Sequence, residues 1–151
     1  MREDLSFHHF ALSVPDIDAA ADWYSTMLDF SIERRFDLPG NIKAMFLQRG
    51  ALRIELFQVP APKPLPDERR DPRRDLETLG NKHLSFQTRH YDRLRKRLED
   101  DDVRIILDIG ENDEQGFFFH DNNDNSSRFF AALAEAAPAK PRIVLVSSQS
   151  R

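Results

Sequence analysis

From His9 to Val14, polar or small side chains (His9, Ala11, Ser13) alternate with apolar ones (Phe10, Leu12, Val14), the period-two pattern of a strand with two unlike faces. Pro15 stops the strand, and Asp16 or Asp18 offers an N-cap for the run Ile17 to Leu28, whose apolar residues recur at helical spacing. Trp23 and Met27 belong to that stripe and are expected in the core. Short strands follow at Ser31 to Phe36, Lys43 to Gln48 and Leu52 to Gln58, the last two joined by a tight hairpin at Arg49-Gly50. From His83 the same order runs again: strand His83 to Thr88, helix Tyr91 to Glu99 with Leu94 and Leu98 inward, then strands Val103 to Asp108, Phe117 to His120 and Ser127 to Ala131. His83 stands 74 residues after His9, and Arg128 stands 73 after Glu55. The chain therefore reads as two copies of one strand-helix-strand-strand-strand unit.

The copies span about residues 5–58 and 82–131 of one domain covering 1–131. Between them, residues 59–81 form a linker in which Pro60, Pro62, Pro64 and Pro66 favour extended backbone, followed by a charged run expected to be solvated. Residues 132–151 read as a peripheral tail, with helix over Ala132 to Ala137 and an apolar run Ile143 to Val146 suited to an edge strand or a dimer contact.

With 151 residues, 40% of them hydrophobic and 12 of them Phe, the chain can bury a core. Its net charge of −4 argues against nucleic acid or an anionic membrane as partner. Cysteine is absent, so a metal would have to be held by His, Asp and Glu. No apolar run approaches the length of a membrane span or a signal segment, and a cytoplasmic location is expected.

Candidate chemistry lies on the non-apolar strand faces. His9 points away from the apolar face and is a candidate ligand. Arg53, Glu55 and Phe57 share the face opposite Ile54 and Leu56, and a carboxylate there is costly to bury without a partner. Glu55 is thus a metal ligand, or else solvated or paired with Arg53. By alternation His8 faces opposite His9, near solvent. His90 stands at a helix-capping position, and His120 reads either as an acid or base lining a cavity or as a surface residue.

Paired βαβββ modules, a His opening each module, a Glu in the fourth strand and the ending Phe-x-x-Asp-x-x-x-Asn together resemble the vicinal oxygen chelate superfamily, which includes glyoxalase I, fosfomycin-resistance enzymes, extradiol dioxygenases and bleomycin-binding proteins. The resemblance covers about residues 5 to 131 and implies an α+β fold whose two modules form a curled mixed sheet around a shared cavity. It implies one divalent metal on His9, Glu55 and His83, with Fe(II) favoured and Ni, Zn, Mn or Co also suited to such ligands. At the fourth ligand position this chain has Arg128 where the family usually has glutamate. An arginine neither ligates a metal nor acts as a carboxylate base. The resemblance therefore implies a metal-dependent enzyme acting on a small, anionic, oxygen-chelating substrate, leaning to Fe(II)- and O2-dependent oxygenation. Arg128 would clamp the anion, with Arg53, Phe57 and Phe119 as further contacts. One alternative is a glyoxalase-like metal-assisted isomerase, lyase or transferase with His120 or a water as base. Another is a metal-free binding protein of the resistance type, using Phe57, Phe117, Phe119 and Phe130 with Arg53 and Arg128, or with Arg128 paired to Glu55. A homodimer is expected, and the sequence is compatible with modules that pair within one chain or across two.

Overall fold

The computed structural model describes residues 4–110 and 115–132. The first module runs β1 (Phe10–Ser13), α1 (Ile17–Leu28), β2 (Ser31–Leu38), β3 (Ile42–Arg49) and β4 (Leu52–Gln58). The second runs β5 (Leu84–Thr88), α2 (Tyr91–Asp100), β6 (Ile105–Ile109), β7 (Gly116–His120) and β8 (Ser126–Ala131). Each forms a four-stranded mixed sheet, in the orders β1-β4-β3-β2 and β5-β8-β7-β6. Among the described strands, β1–β4 and β5–β8 pair in parallel and the remaining pairs are antiparallel. The two-module α+β fold read from the repeat is the fold observed.

Local chemistry explains the boundaries. Asp16, not Asp18, caps α1, its Oδ1 accepting from the amides of Asp18 and Ala19 at 3.0 Å each. Gly50 takes the left-handed conformation (φ 58°) that the β3–β4 turn requires. In β7 a Cβ at position 116 would stand 2.8 Å from the Phe129 carbonyl oxygen, so only glycine lets β8 approach there.

One core serves both modules. Ile17, Tyr24 and Leu28 of α1 pack with Met45, Leu47, Ile54 and Leu56 of the first sheet and with Phe86, Phe117, Phe119 and Phe129 of the second. Trp23 stacks on Phe119, ring centroids 6.3 Å apart, and Leu98 of α2 enters the same core. The buried Tyr24 hydroxyl donates to Asp121 Oδ2 at 2.9 Å, and Asn122 Nδ2 donates to the Ala19 carbonyl at 3.1 Å. From the other helix, the Arg97 guanidinium donates to the Thr26 carbonyl. The helix-bearing faces of the two sheets therefore meet across one apolar layer.

This packing corrects one expectation. The sheets do not curl around a shared cavity within a single chain. Since Ile54, Leu56 and Phe129 point into the common core, strand alternation turns Arg53, Glu55 and Phe57, and likewise Arg128 and Phe130, to the opposite, outward faces. The apolar faces meet because burying rings and aliphatics is favourable, whereas burying carboxylates and guanidinium groups costs free energy.

The charged run of the linker departs from a wholly solvated one at Asp75. It forms short 3-10 turns at Asp67–Arg70 and Arg74–Glu77, and the buried Asp75 carboxylate pairs with Arg69 at 3.1 Å and Lys82 at 3.5 Å. The Lys82 ammonium also donates to the carbonyls of Asp75 and Thr78. Ala132 donates its amide to the Thr88 carbonyl at 2.7 Å. The tail helix and the run Ile143 to Val146 lie outside the described residues. Among those residues no helix is long and apolar enough to cross a membrane.

Candidate metal centre

On the outward face of the first sheet, His9 Nε2 lies 3.1 Å from Glu55 Oε2. The ordered strand starts only at Phe10, so alternation does not extend back to His8, which turns to the same side as His9. His8 Nδ1 meets His9 Nδ1 at 2.6 Å, and His8 Nε2 meets Arg53 NH1 at 2.8 Å. Both imidazoles stand edge-on to Phe46, whose ring also lies under the Arg53 guanidinium. Hydrogen-bond roles follow along this chain. Arg53 can only donate, so His8 Nε2 accepts; a neutral His8 then donates from Nδ1 to His9 Nδ1, and His9 donates from Nε2 to Glu55. Arg53 is held on its other side by Glu33, NH2 to Oε1 at 2.6 Å. Its role here is to orient His8, and Glu55 takes His9, not Arg53 or Arg128, as its partner.

The second sheet carries the matching half. The His83 ring stands edge-on to Phe118, centroids 4.8 Å apart. Arg128 pairs opposite both Ser85, two residues after His83, and Phe118, with its Cζ 3.5 Å from the Phe130 ring centroid and 5.3 Å from that of Phe118. Burial pushes the His83 imidazole below its ordinary value and the Arg128 charge pushes it further, while Asp75 pulls the other way. His83 is therefore neutral at neutral pH, the form that ligates a metal. Arg128 Nε is buried with no hydrogen-bond partner among the described residues. An orphaned charged donor of this kind is suited to an incoming anion.

Two expected contacts are placed elsewhere. Phe119 is 0% exposed, stacked on Phe129 in the core, and so cannot touch a ligand on the outward face. Phe118, one residue earlier, faces His83 instead; only the parity of β7 against β8 separates the two. Phe57 stays half-buried on the Glu55 face, beside Ser13 in the pairing. His120 is buried, with Nε2 2.8 Å from the Arg70 carbonyl and Nδ1 3.8 Å from Asp124, where it ties the linker to β7. His90 sits at the N-cap of α2 without a side-chain capping bond.

No three His, Asp or Glu side chains come together as a metal cage among the described residues. His9 and Glu55 form one pair and His83 belongs to the other sheet. The pair nonetheless offers donor types that suit a divalent ion, an imidazole nitrogen and a carboxylate oxygen within 3.1 Å of one another. The His8 contact orients the His9 ring; ligation through Nε2 takes the other tautomer of His9, with the ring proton on Nδ1.

The family model of the Glyoxalase/Bleomycin resistance protein/Dioxygenase superfamily matches residues 6–131. Among solved structures, a glyoxalase family protein from Enterococcus faecalis superposes with TM-score 0.69 at 20% identity, covering 83% of this chain and 96% of that one. A glyoxylase/bleomycin resistance protein/dioxygenase domain from Frankia sp. EAN1pec gives 0.69 at 21%, covering 85% and 98%. A single-residue mutant of the fosfomycin resistance protein FosX from Listeria monocytogenes, complexed with Mn(II) and 1S,2S-dihydroxypropylphosphonic acid, gives 0.64 at 16%, covering 89% and 96%. No curated protein matches the chain.

Proposed function

The chain belongs to the Glyoxalase/Bleomycin resistance protein/Dioxygenase superfamily, and on that premise we propose that it is a divalent-metal-dependent enzyme whose site is completed between two copies of the chain. The observation that carries the proposal is the division of the donor set: His9 and Glu55 lie 3.1 Å apart on one outward face, while His83 and Arg128 share the outward face of the other sheet. Faces turned away from one another within a chain can meet when the first module of one copy lies beside the second module of another. Exposed apolar side chains precede each half-site, Leu5 and Phe7 before His9 and Leu76 and Leu79 before His83. Such side chains suit an interface between copies.

In the assembled site His9, Glu55 and the partner's His83 would hold one ion, Fe(II) being favoured by two histidines and one carboxylate. When bound, that ion supplies Lewis-acid polarisation of two substrate oxygens and, if iron, redox chemistry with dioxygen. The protein's own part is positional. Arg128, braced on Phe130, directs its guanidinium charge at an anionic group of the substrate; Phe118 and Phe57 supply apolar walls; the His8 and Arg53 contacts hold His9 in register. With arginine in place of a fourth carboxylate, proton abstraction by that residue is unavailable, which favours oxygenation over isomerisation. The FosX complex, a structural neighbour with Mn(II) and a phosphonic acid, supports a second reading: metal-assisted addition to an anionic substrate, with Arg128 as its clamp.

Anaerobic loading with Fe(II), Mn(II), Ni(II) and Zn(II), followed by metal analysis and oxygen-uptake assays with small organic acids, tests both readings. One metal per chain with oxygen uptake that disappears in His9→Ala supports the oxygenase. Metal without oxygen chemistry supports the second reading, and failure to retain any metal overturns both.

A further inference from the structure

On the seam between the modules, away from both half-sites, the end of α1, the β3–β4 turn, the end of β5 and the start of α2 enclose a cavity of about 640 Å3, within the size range of small-molecule sites. Its floor is core: Leu28, Phe30, Phe86 and Phe129 are all buried. Its rim is cationic, with Arg49, Arg89, Arg93 and Arg97 beside His90. Among the described residues the lining holds one carboxylate, Asp29, which lies 3.6 Å from Arg49 and 3.7 Å from Arg97 and is shared between them. Arg93 makes no ion pair or hydrogen bond among the described residues. In a chain of net charge −4, this is a local reversal of sign over an apolar hollow.

We propose that this cavity is a second ligand site, for a small organic anion with an apolar, ring-sized body. The head group is held by Arg93 with Arg49 and Arg97, and the body lies on Phe30 and Phe86. A neutral apolar ligand would leave the grouped positive charges uncompensated, and an inorganic anion would leave the aromatic floor wet. The site draws one wall from each module, Arg49 and Leu52 from the first and the β5–α2 segment from the second, so its ligand clamps the seam. It shares no residue with the metal centre, and its test needs neither metal nor turnover.

The test is calorimetric titration of the metal-free full chain with 2-naphthoate, its neutral analogue 2-naphthamide, and acetate. The expected result is saturable one-to-one binding of 2-naphthoate, with the amide and acetate each weaker by about tenfold or more. Arg93→Glu should weaken 2-naphthoate by a similar factor, and so should Leu52→Glu on the opposite wall. Lys96→Glu makes the same change in net charge outside the cavity and should leave the affinity unchanged. Each of these substitutions is at an exposed position. Absence of saturable 2-naphthoate binding overturns the proposal, as does equal binding of the amide or an equal loss in Lys96→Glu.

Discussion

Tyr24→Phe removes one oxygen from the seam that fixes the modules face to face. The hydroxyl is fully buried and donates to Asp121 Oδ2 at 2.9 Å. A hydrogen bond to a charged acceptor contributes about 1.5–3 kcal/mol net. Asp121 does not become orphaned in the variant, because Oδ2 still accepts from Asn125 Nδ2 at 3.0 Å and Oδ1 from the amides of Asn123 and Asn125 at 2.8 and 2.9 Å. The ring stays in place, so no cavity opens. The loss should therefore fall at the low end, about 1.5–2 kcal/mol, lowering Tm by about 3–8 °C for a chain of this length. Burial, then the Asp121 charge and its hydrogen bond, raise the Tyr24 pKa well above its ordinary 10.0. An acid whose folded pKa is raised binds its proton more tightly in the folded state, so stability falls as pH rises above the unfolded pKa near 10. That alkaline loss should be smaller in Tyr24→Phe. Calorimetric melts from pH 7 to 11 measure both effects. A Tm within about 1 °C of wild type at pH 7, with an unchanged alkaline slope, would refute the packing argued for the seam.

For His83, whose pKa is lowered first by burial and then by Arg128, folding stability should fall as pH drops below the unfolded value of 6.5, where the unfolded chain binds more protons. Arg128→Met should move the His83 NMR titration back toward 6.5 without reaching it, and an unmoved midpoint would remove Arg128 as a cause. Arg128→Glu should raise KM for an acidic substrate by about tenfold or more, the scale of a lost charge-assisted contact, and an unchanged KM would sink the clamp. Asp75→Asn leaves Arg69 and Lys82 facing a neutral amide and should cost about 1–3 kcal/mol, read as faster tryptic cleavage at the linker arginines with the sheets intact. Unchanged cleavage would mean that this ionic cluster does not hold the linker.

What could be read from the sequence followed what is local and periodic. Alternation in Leu52–Gln58 put Glu55 opposite Ile54 and Leu56, as the strand has it, and the offset of Glu55 and Arg128 matches their pairing with Ala11 of β1 and Ser85 of β5. The run Phe117-Phe118-Phe119 has no polar residue to mark its outward position, so Phe119 was expected at the ligand and lies in the core, while Phe118 takes the place beside His83. His8 escaped the alternation rule because regular strand begins at Phe10. The linker cluster on Asp75 joins residues with no common period. How the modules pack is the least local property: the apolar stripe of α1 signals burial, but nothing in its spacing says that Trp23 meets Phe119 of the other module. From that contact follows the outward placing of the two half-sites.

Subunit complementation tests the shared metal site most directly. His9→Ala and His83→Ala chains carrying different affinity tags would be co-expressed, the mixed dimer isolated on both tags in sequence, and its metal measured after anaerobic Fe(II) loading. In the mixed dimer one site lacks both histidines and the other retains both, so the expected content is about half the wild-type metal per chain, while each variant alone binds none. A mixed dimer as empty as its parents would contradict a centre built from His9 and Glu55 of one copy and His83 of the other.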